Sequence, residues 1–156
     1  MVHSGISDLC QSLKREGYHI TIETAATIPP AGIDCDLASL SPKLSNSTPR
    51  KGEISEAWRQ RHEERRWRPD IIRQWLQNYP FQLKFVVESP GDLPEIQQQL
   101  ESISPVEPHQ VFLMPEGITP SQLKDKMGWL SELCRKFGYR LAPRLHIDLY
   151  GNKPGT

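Results

Sequence analysis

The spacing of apolar residues divides the chain into alternating helical and extended segments. An amphipathic helix is predicted near the N-terminus, with Ser4 as its cap and Gly17 as its left-handed exit. Its apolar positions, at i, i+3, i+4 and i+7, are Ile6, Leu9, Cys10 and Leu13. Further helical patterns lie at residues 54–67, 69–79, 93–103 and 123–137.

Runs of β-branched and aromatic residues predict the strands between these helices. The predicted strands are residues 18–24, 35–41, 81–87, 110–114 and 139–148, and Pro143 in the last one implies an edge position or a bulge. Alternating helices and strands with short connections indicate an α/β fold, in which a mostly parallel sheet is covered by helices. Residues 1–156 are expected to form one domain, with a polar loop and a charged helical insertion at 42–68.

Composition narrows the class of protein without indicating its chemistry. The 156 residues include 19 Lys and Arg against 19 Asp and Glu, so no net charge attracts nucleic acid or an anionic membrane surface over distance. No run of about 18 apolar residues predicts a membrane-spanning helix, and residues 1–10 lack the pattern of a secretory signal. Three widely spaced cysteines argue against a disulfide framework, which favours a cytoplasmic location.

An arginine- and tryptophan-rich run at residues 58–67 has two interpretations. The mixture of arginine and tryptophan is found in RNA-binding surfaces, but the neighbouring glutamates neutralise its field. A solvated helix with internal salt bridges is therefore favoured over a nucleic-acid site.

Candidate site residues follow the predicted strands, because ligands of parallel sheets bind at the carboxyl ends of the strands. Lys43 follows Ser41 and Pro42, and the proline holds it on a rigid turn. Glu23 ends the first strand, and His146 lies in the last predicted strand. A solvated lysine, an exposed carboxylate and a structural histidine remain open alternatives for these three residues.

No metal or nucleophile signature stands out from residue spacing alone. Cys10, Cys35 and Cys134 are too far apart in sequence for a zinc or iron–sulfur motif, and Cys10 and Cys134 lie on apolar helix faces typical of buried thiols. No P-loop, Rossmann glycine pattern or Ser-His-Asp arrangement is present.

Five segments taken together resemble the 7-carboxy-7-deazaguanine synthases, which are radical S-adenosylmethionine enzymes of the queuosine and deazapurine pathway. The matching segments, in the order of the family, are HITIETAAT (19–27), DLASLSPKLSNSTP (36–49), QLKFVV (82–87), VFLMPEG (111–117) and PRLHIDLYG (143–151). Ala26 stands where the family usually has glycine. The resemblance runs from about His19 to the C-terminus.

The resemblance implies a fold, a reaction and a set of cofactors. The fold is a β/α partial barrel of the radical S-adenosylmethionine type, here incomplete and lacking its N-terminal strands. The reaction converts the pterin 6-carboxytetrahydropterin to 7-carboxy-7-deazaguanine with loss of ammonia. The implied cofactors are S-adenosylmethionine, a [4Fe-4S] cluster and Mg²⁺.

The resemblance also assigns roles to individual residues. Glu23 and His146 would lie near the pterin, and the C-terminal tail would approach it. The remaining residues would bind S-adenosylmethionine, and they are Ser41, Pro42, Lys43, Met114, Pro115, Glu116 and Gly117.

The sequence lacks the family's cysteine motif, its magnesium-binding threonine and its Gly-Gly-Glu-Pro segment. We therefore expect the C-terminal part of such an enzyme, inactive alone and produced by truncation, by a shifted gene start or by a split gene that encodes the N-terminal half separately. The alternative is a non-enzymatic module that binds a nucleoside, a pterin or a partner subunit. An unpaired first strand would also favour poor solubility or a homodimer.

Overall fold

One parallel sheet organises the residues that the computed structural model describes, 5–153. Its strands are β1 (Thr21–Thr24), β2 (Leu37–Leu40), β3 (Phe81–Val87), β4 (Val111–Pro115) and β5 (Arg140–Leu141). The α-helices are α1 (Ile6–Arg15), α2 (Glu56–Arg66), α3 (Pro69–Asn78), α4 (Leu93–Ile103), α5 (Pro120–Phe137) and α6 (Leu145–Tyr150). None of the helices in the described range has both the length and the apolar character that crossing a bilayer demands.

The strands lie side by side in chain order, β1-β2-β3-β4-β5, and every neighbouring pair is parallel. This arrangement confirms the predicted α/β class with a parallel sheet. Because each connection adds its strand on the same side of the last one, and such connections are right-handed, their helices lie on one face of the sheet. The opposite face is left without helices from these connections.

Burial along the strands matches this two-faced arrangement. In β3 the buried residues are Leu83, Phe85 and Val87, and the residues between them are only partly covered. The register places Leu83 beside Val111 and Phe85 beside Leu113 on the same face. The helices complete the core on that side with Cys10, Ile71, Ile72, Trp75, Ile96, Ile103, Leu130 and Cys134. Hydrophobic burial is therefore concentrated on the helical face of the sheet.

Hydrogen bonds from α3 and α1 hold the segment around β1. The Trp75 indole donates to the carbonyl of Ile28 at 2.9 Å, and the Tyr79 hydroxyl donates to the carbonyl of Ile33 at 2.6 Å. The Asp36 carboxylate accepts from the Ile20 amide at 2.8 Å and from the Lys14 ammonium of α1. These contacts fix the connection between β1 and β2, which contains no helix of its own.

Two sequence predictions are wrong in part. Leu9 is 54% exposed, so the buried face of α1 is narrower than its four apolar positions suggest. The final predicted strand, 139–148, is divided into the short β5 and the helix α6. Pro143 lies between them, and its fixed φ and missing N–H end the pairing with β4. His146 consequently lies on a helix and not in a strand.

Two of the predicted helices end at glycine residues. Gly17 has φ 83° and Gly138 has φ 72°, so both glycines end their helices in the left-handed conformation as predicted. The predicted cap Ser4 lies outside the described residues.

We expect opposite effects from two glycine-to-alanine substitutions around α5. A Cβ at Gly138 would meet the Cβ of Pro108 at 3.2 Å in a left-handed backbone, so Gly138→Ala should lower the free energy of unfolding by about 1 kcal/mol or more. Gly128 lies within α5, and an added Cβ there would have nothing within 4 Å, so Gly128→Ala should raise it by about 0.5–1 kcal/mol. Urea unfolding measures both, and stabilisation by Gly138→Ala would contradict this account of the α5 terminus.

Candidate functional site

A row of polar side chains crosses the face of the sheet opposite the core. The register aligns Glu23 of β1 with Ser39 of β2 and Gln82 of β3. The Gln82 amide donates to the Ser39 hydroxyl at 2.9 Å, and that hydroxyl donates to the Glu23 carboxylate at 3.5 Å. Lys84, two residues beyond Gln82 on the same face, forms an ion pair with Glu23. Four polar side chains from three strands are thus joined in one network.

The ion pair with Lys84 sets the charge state of Glu23. The hydrogen bond and the positive charge of Lys84 lower the pKa of Glu23. Glu23 keeps 69% of its side chain exposed, whereas Lys84 keeps 19%. Glu23 is therefore an accessible carboxylate, held ionised and oriented, which suits it to accept hydrogen bonds from a ligand on the open face.

Lys43 lies beyond the end of β2 without a carboxylate partner among the described residues. Its ammonium donates to the Ser41 hydroxyl at 3.4 Å. Burial, and secondarily the charge of Lys84, lowers the pKa of Lys43. A half-buried lysine near a second cation is unfavourable for folding, which is a feature expected of a binding site.

The backbone around Lys43 is fixed from both sides. Pro42 and Leu44 are buried, and the Lys43 amide donates to the carbonyl of Arg66 at 3.2 Å. The Arg66 guanidinium returns a hydrogen bond to the Lys43 carbonyl at 3.4 Å. The rigid turn predicted for Lys43 therefore depends on α2 as well as on Pro42.

Glu95 of α4 anchors the next part of this loop. Its carboxylate accepts from the Ser45 amide at 3.0 Å, from the Ser45 hydroxyl at 2.6 Å and from the Arg66 guanidinium at 2.7 Å. The side chains of Arg66 and Glu95 are only 17% and 23% exposed. This carboxylate thus joins the loop after β2 to both α2 and α4.

Asn46 fixes the same loop to the end of β3. Its amide donates to the carbonyl of Val86 at 3.1 Å and to the Asp92 carboxylate at 3.0 Å. Asp92 also accepts from the amides of Glu88 at 2.7 Å and Ser89 at 3.1 Å. Ser45 and Asn46 therefore help to position the loop that carries the lysine.

The charged helix α2 is solvated and salt-bridged, as the sequence favoured, but it has a positioning role as well. It contains no buried residue, and Arg59 pairs with Glu56 at 3.0 Å. Arg66 at its C-terminal end pairs with Glu63 at 2.8 Å and reaches both the Lys43 loop and Glu95. The arginines of α2 thus form some of their ion pairs within the helix and some with the rest of the chain.

The segment after β4 forms the second part of the candidate site. Met114 is paired with Val86 and shares the open face with the polar row, whereas Pro115 is buried. Glu116 pairs with Lys126 of α5 at 2.8 Å. These three residues border the edge of the sheet at the carboxyl ends of its strands, which is the edge where a ligand site was predicted.

Gly117 requires glycine for two reasons. Its φ is 153°, and an added Cβ would lie 3.0 Å from Leu123 and 3.1 Å from Gln122. Its carbonyl accepts from the Arg144 guanidinium at 2.8 Å, which joins the turn after β4 to the start of α6. The backbone here is therefore held in one geometry.

His146 is not brought into the polar row. It is exposed on α6, and among the described residues no hydrogen bond or ion pair joins it to Glu23 or Lys43. The predicted residues therefore divide into two groups along the open edge. Glu23, Ser41 and Lys43 form one group, and Met114 to Gly117 with Arg144 form the other.

The site includes polar residues that sequence reasoning missed. Gln82 and Lys84 lie in the strand predicted at 81–87, where no site role was predicted for them, although they alternate with its buried residues. That alternation was the available signal. Arg140 of β5 also faces the open side, with its guanidinium 5.5 Å from the ring centre of Phe112.

The described residues do not fit an iron–sulfur cluster. Cys10, Cys35 and Cys134 are all buried. Burial, together with nearby Cys10, raises the pKa of Cys35 to about 11, and burial raises the pKa of Cys134. Cluster ligands must be thiolates, and within residues 5–153 no group of three or more His, Cys, Asp or Glu side chains is placed to hold a metal ion.

Comparison with known proteins relates the chain to one group of enzymes. No protein-family profile matches it. The 7-carboxy-7-deazaguanine synthase of Rhodopirellula baltica is 38% identical over 157 residues, covering 100% of this chain and 60% of the relative. The enzyme of that name from Halobacterium salinarum is 37% identical over 166 residues, covering 100% of this chain and 63% of the relative. The chain thus spans about three-fifths of the length of these curated relatives.

A solved structure has a similar fold. QueE from Escherichia coli matches with a TM-score of 0.56 at 18% sequence identity, covering 92% of this chain and 51% of that protein. At this identity the match concerns the fold alone.

Glu95→Gln should destabilise the chain, because it leaves Arg66 without one of its charged partners and weakens the hold on Ser45. We expect a loss of about 1–3 kcal/mol in the free energy of unfolding. Glu64→Gln is the matched control on the exposed surface of α2 and should change it by less than about 0.5 kcal/mol. Equal unfolding midpoints for the two variants would show that Glu95 does not anchor the loop.

Lys43→Met should stabilise the chain at neutral pH, by on the order of 1 kcal/mol. Because the pKa of Lys43 is lowered in the folded chain, the unfolded chain binds more protons between the folded pKa and 10.5. The wild-type chain therefore gains stability as pH rises through that range, and the advantage of Lys43→Met should shrink there. Lys126→Met, which removes the partner of Glu116, should give no such gain. Denaturant unfolding at neutral and alkaline pH compares them, and a lower stability of Lys43→Met at neutral pH would contradict the argument.

Proposed function

Because the chain is related over its whole length to the 7-carboxy-7-deazaguanine synthases, we propose that it supplies the ligand-binding C-terminal portion of a radical S-adenosylmethionine enzyme of this kind. The reaction proposed for the whole enzyme is conversion of 6-carboxytetrahydropterin to 7-carboxy-7-deazaguanine. The observation that carries the proposal is that the matching segments contribute Glu23, Lys43 and Met114 to one edge and face of the sheet.

S-adenosylmethionine would be bound by the two edge groups. The Ser41 hydroxyl and the Lys43 ammonium offer polar contacts after β2. Met114 at the end of β4 and the fixed backbone of Gly117 offer a wall for the adenosyl portion, Pro115 supports it from the buried side, and Glu116 borders it. S-adenosylmethionine, when bound, supplies the radical chemistry of such enzymes.

The pterin would lie on the open face next to the polar row. Its ring carries N–H donors, and Glu23 is an oriented, ionised acceptor. Lys84 holds that carboxylate in place, Gln82 continues the row beneath a planar ligand, and the buried Ser39 joins Gln82 to Glu23. His146 is proposed to approach the pterin only from α6, beyond the network.

We propose that residues 1–156 act as one domain with the insertion 42–68, and that the cluster and Mg²⁺ are held by residues outside them. Residues 1–156 alone are then inactive, and the cytoplasmic part that holds the cluster and Mg²⁺ would pair with β1. The predicted homodimer stays a prediction. A non-enzymatic ligand-binding module remains the second candidate, favoured by the burial of all three thiols.

Anaerobic iron–sulfur reconstitution separates these functions. The chain alone should show no stoichiometric [4Fe-4S] spectrum and no cleavage of S-adenosylmethionine, because its thiols are buried. Calorimetry should nevertheless detect S-adenosylmethionine binding, weakened roughly tenfold by Lys43→Ala and unchanged by Lys136→Ala on α5. Cluster assembly by the chain alone would overturn the division of roles, and an absence of heat would overturn binding by this part.

A further inference from the structure

A pocket of about 220 Å³ lies between α2, Lys43 and the loop after β1. Thr27 and Lys43 form one side, and residues of α2 form the other. The α2 residues that line it are Trp58, Arg61, His62, Arg65 and Arg66. The pocket opens next to the open-face site but has walls of its own.

Four of the residues that line this pocket are Lys43, Arg61, Arg65 and Arg66, although the whole chain has a net charge of zero. Arg66 is neutralised by Glu63 and Glu95, at 2.8 and 2.7 Å. Arg65 and Lys43 form no ion pair within residues 5–153, and no carboxylate lines the pocket. The two free charges and Arg61 therefore favour an anion there.

Trp58 adds a flat aromatic wall to the same pocket. It is 62% exposed, which leaves part of its ring open to a ligand. The Arg61 guanidinium lies over its ring at 5.0 Å from the centroid. His62, also in the lining, has a buried Nδ1 with no hydrogen-bond partner in the described structure, and the Glu63 carboxylate lies 3.7 Å from it. The exposed aromatic ring and the cationic side chains beside it indicate a ligand with both a planar and an anionic part.

We propose that this pocket binds a small organic oxyanion in which a phosphate or carboxylate is joined to a planar ring. The oxyanion contacts Arg61, Arg65 and Lys43, and the ring stacks against Trp58. Such a ligand goes beyond the proposed reaction, and its binding does not require the cluster. Lys43 would then connect the pocket to the open face of the sheet.

Titration of indole N–H signals by NMR tests the proposal on the intact chain. Its four tryptophans give separate signals, and Trp58→Ala identifies that of Trp58. Adenosine monophosphate and nicotinate probe the phosphate and the carboxylate joined to a ring. Inorganic phosphate and adenosine probe the anion and the ring alone. Adenosine monophosphate or nicotinate should shift the Trp58 signal at a lower concentration than inorganic phosphate or adenosine does. Whichever of adenosine monophosphate and nicotinate binds more tightly shows whether the pocket prefers a phosphate or a carboxylate.

Arg65→Ala should weaken this binding roughly tenfold, the loss of one charge-assisted contact. Arg135→Ala is the matched control, because Arg135 is exposed in the last turn of α5 as Arg65 is in the last turn of α2. Both variants should melt as the wild type does. The proposal is overturned if millimolar ligand leaves the Trp58 signal unshifted. It is also overturned if phosphate binds as tightly as the ring-bearing anions, or if Arg135→Ala weakens binding as much as Arg65→Ala does. Because cluster reconstitution is not involved, failure here leaves the proposed synthase function untouched.

Discussion

A parallel sheet whose strands follow one another in chain order has helices on only one of its faces, and the rest of this structure depends on that constraint. The helical face collects the apolar residues of β2, β3 and β4 with those of α1, α3, α4 and α5. Burial on this side stabilises the fold. The other face must tolerate water or a ligand, and it carries polar residues from Glu23 to Lys84 and Arg140.

Rigidity at the edge of this sheet comes from side chains far from it in sequence. Glu95 and Asp92 reach back to the loop after β2, and Arg66 reaches forward to both the loop and Glu95. An uncompensated, half-buried lysine costs stability, and such a group persists when the surrounding contacts fix its position. The network of carboxylates around Ser45 and Asn46 therefore makes the unfavourable position of Lys43 tolerable.

Sequence patterns predicted the periodic elements well because their cause is local. The bounds of β3 and of the helix before it follow directly from alternation and from a proline at the first helical turn. The last strand was wrong because the apolar residues around Ile147 suit a strand or a helix equally. Strand-end position and motif resemblance both predicted Glu23 and Lys43 as site residues, but Lys84 was missed because its partner is 61 residues away. Glu95 was missed for the same reason, since it contacts Ser45 across 50 residues.

The alternation of β3 has a consequence for how variation in this chain can be read. Odd-numbered positions from Phe81 to Val87 face the helices, and the even-numbered positions between them face the open side. Selection for foldedness therefore acts on one parity of residue number, and selection for ligand recognition acts on the other. A single-residue insertion ahead of Gln82 would exchange the two sets, sending lysine into the core and phenylalanine into solvent. One extra residue in this strand thus misplaces several side chains at once, whereas a substitution changes one.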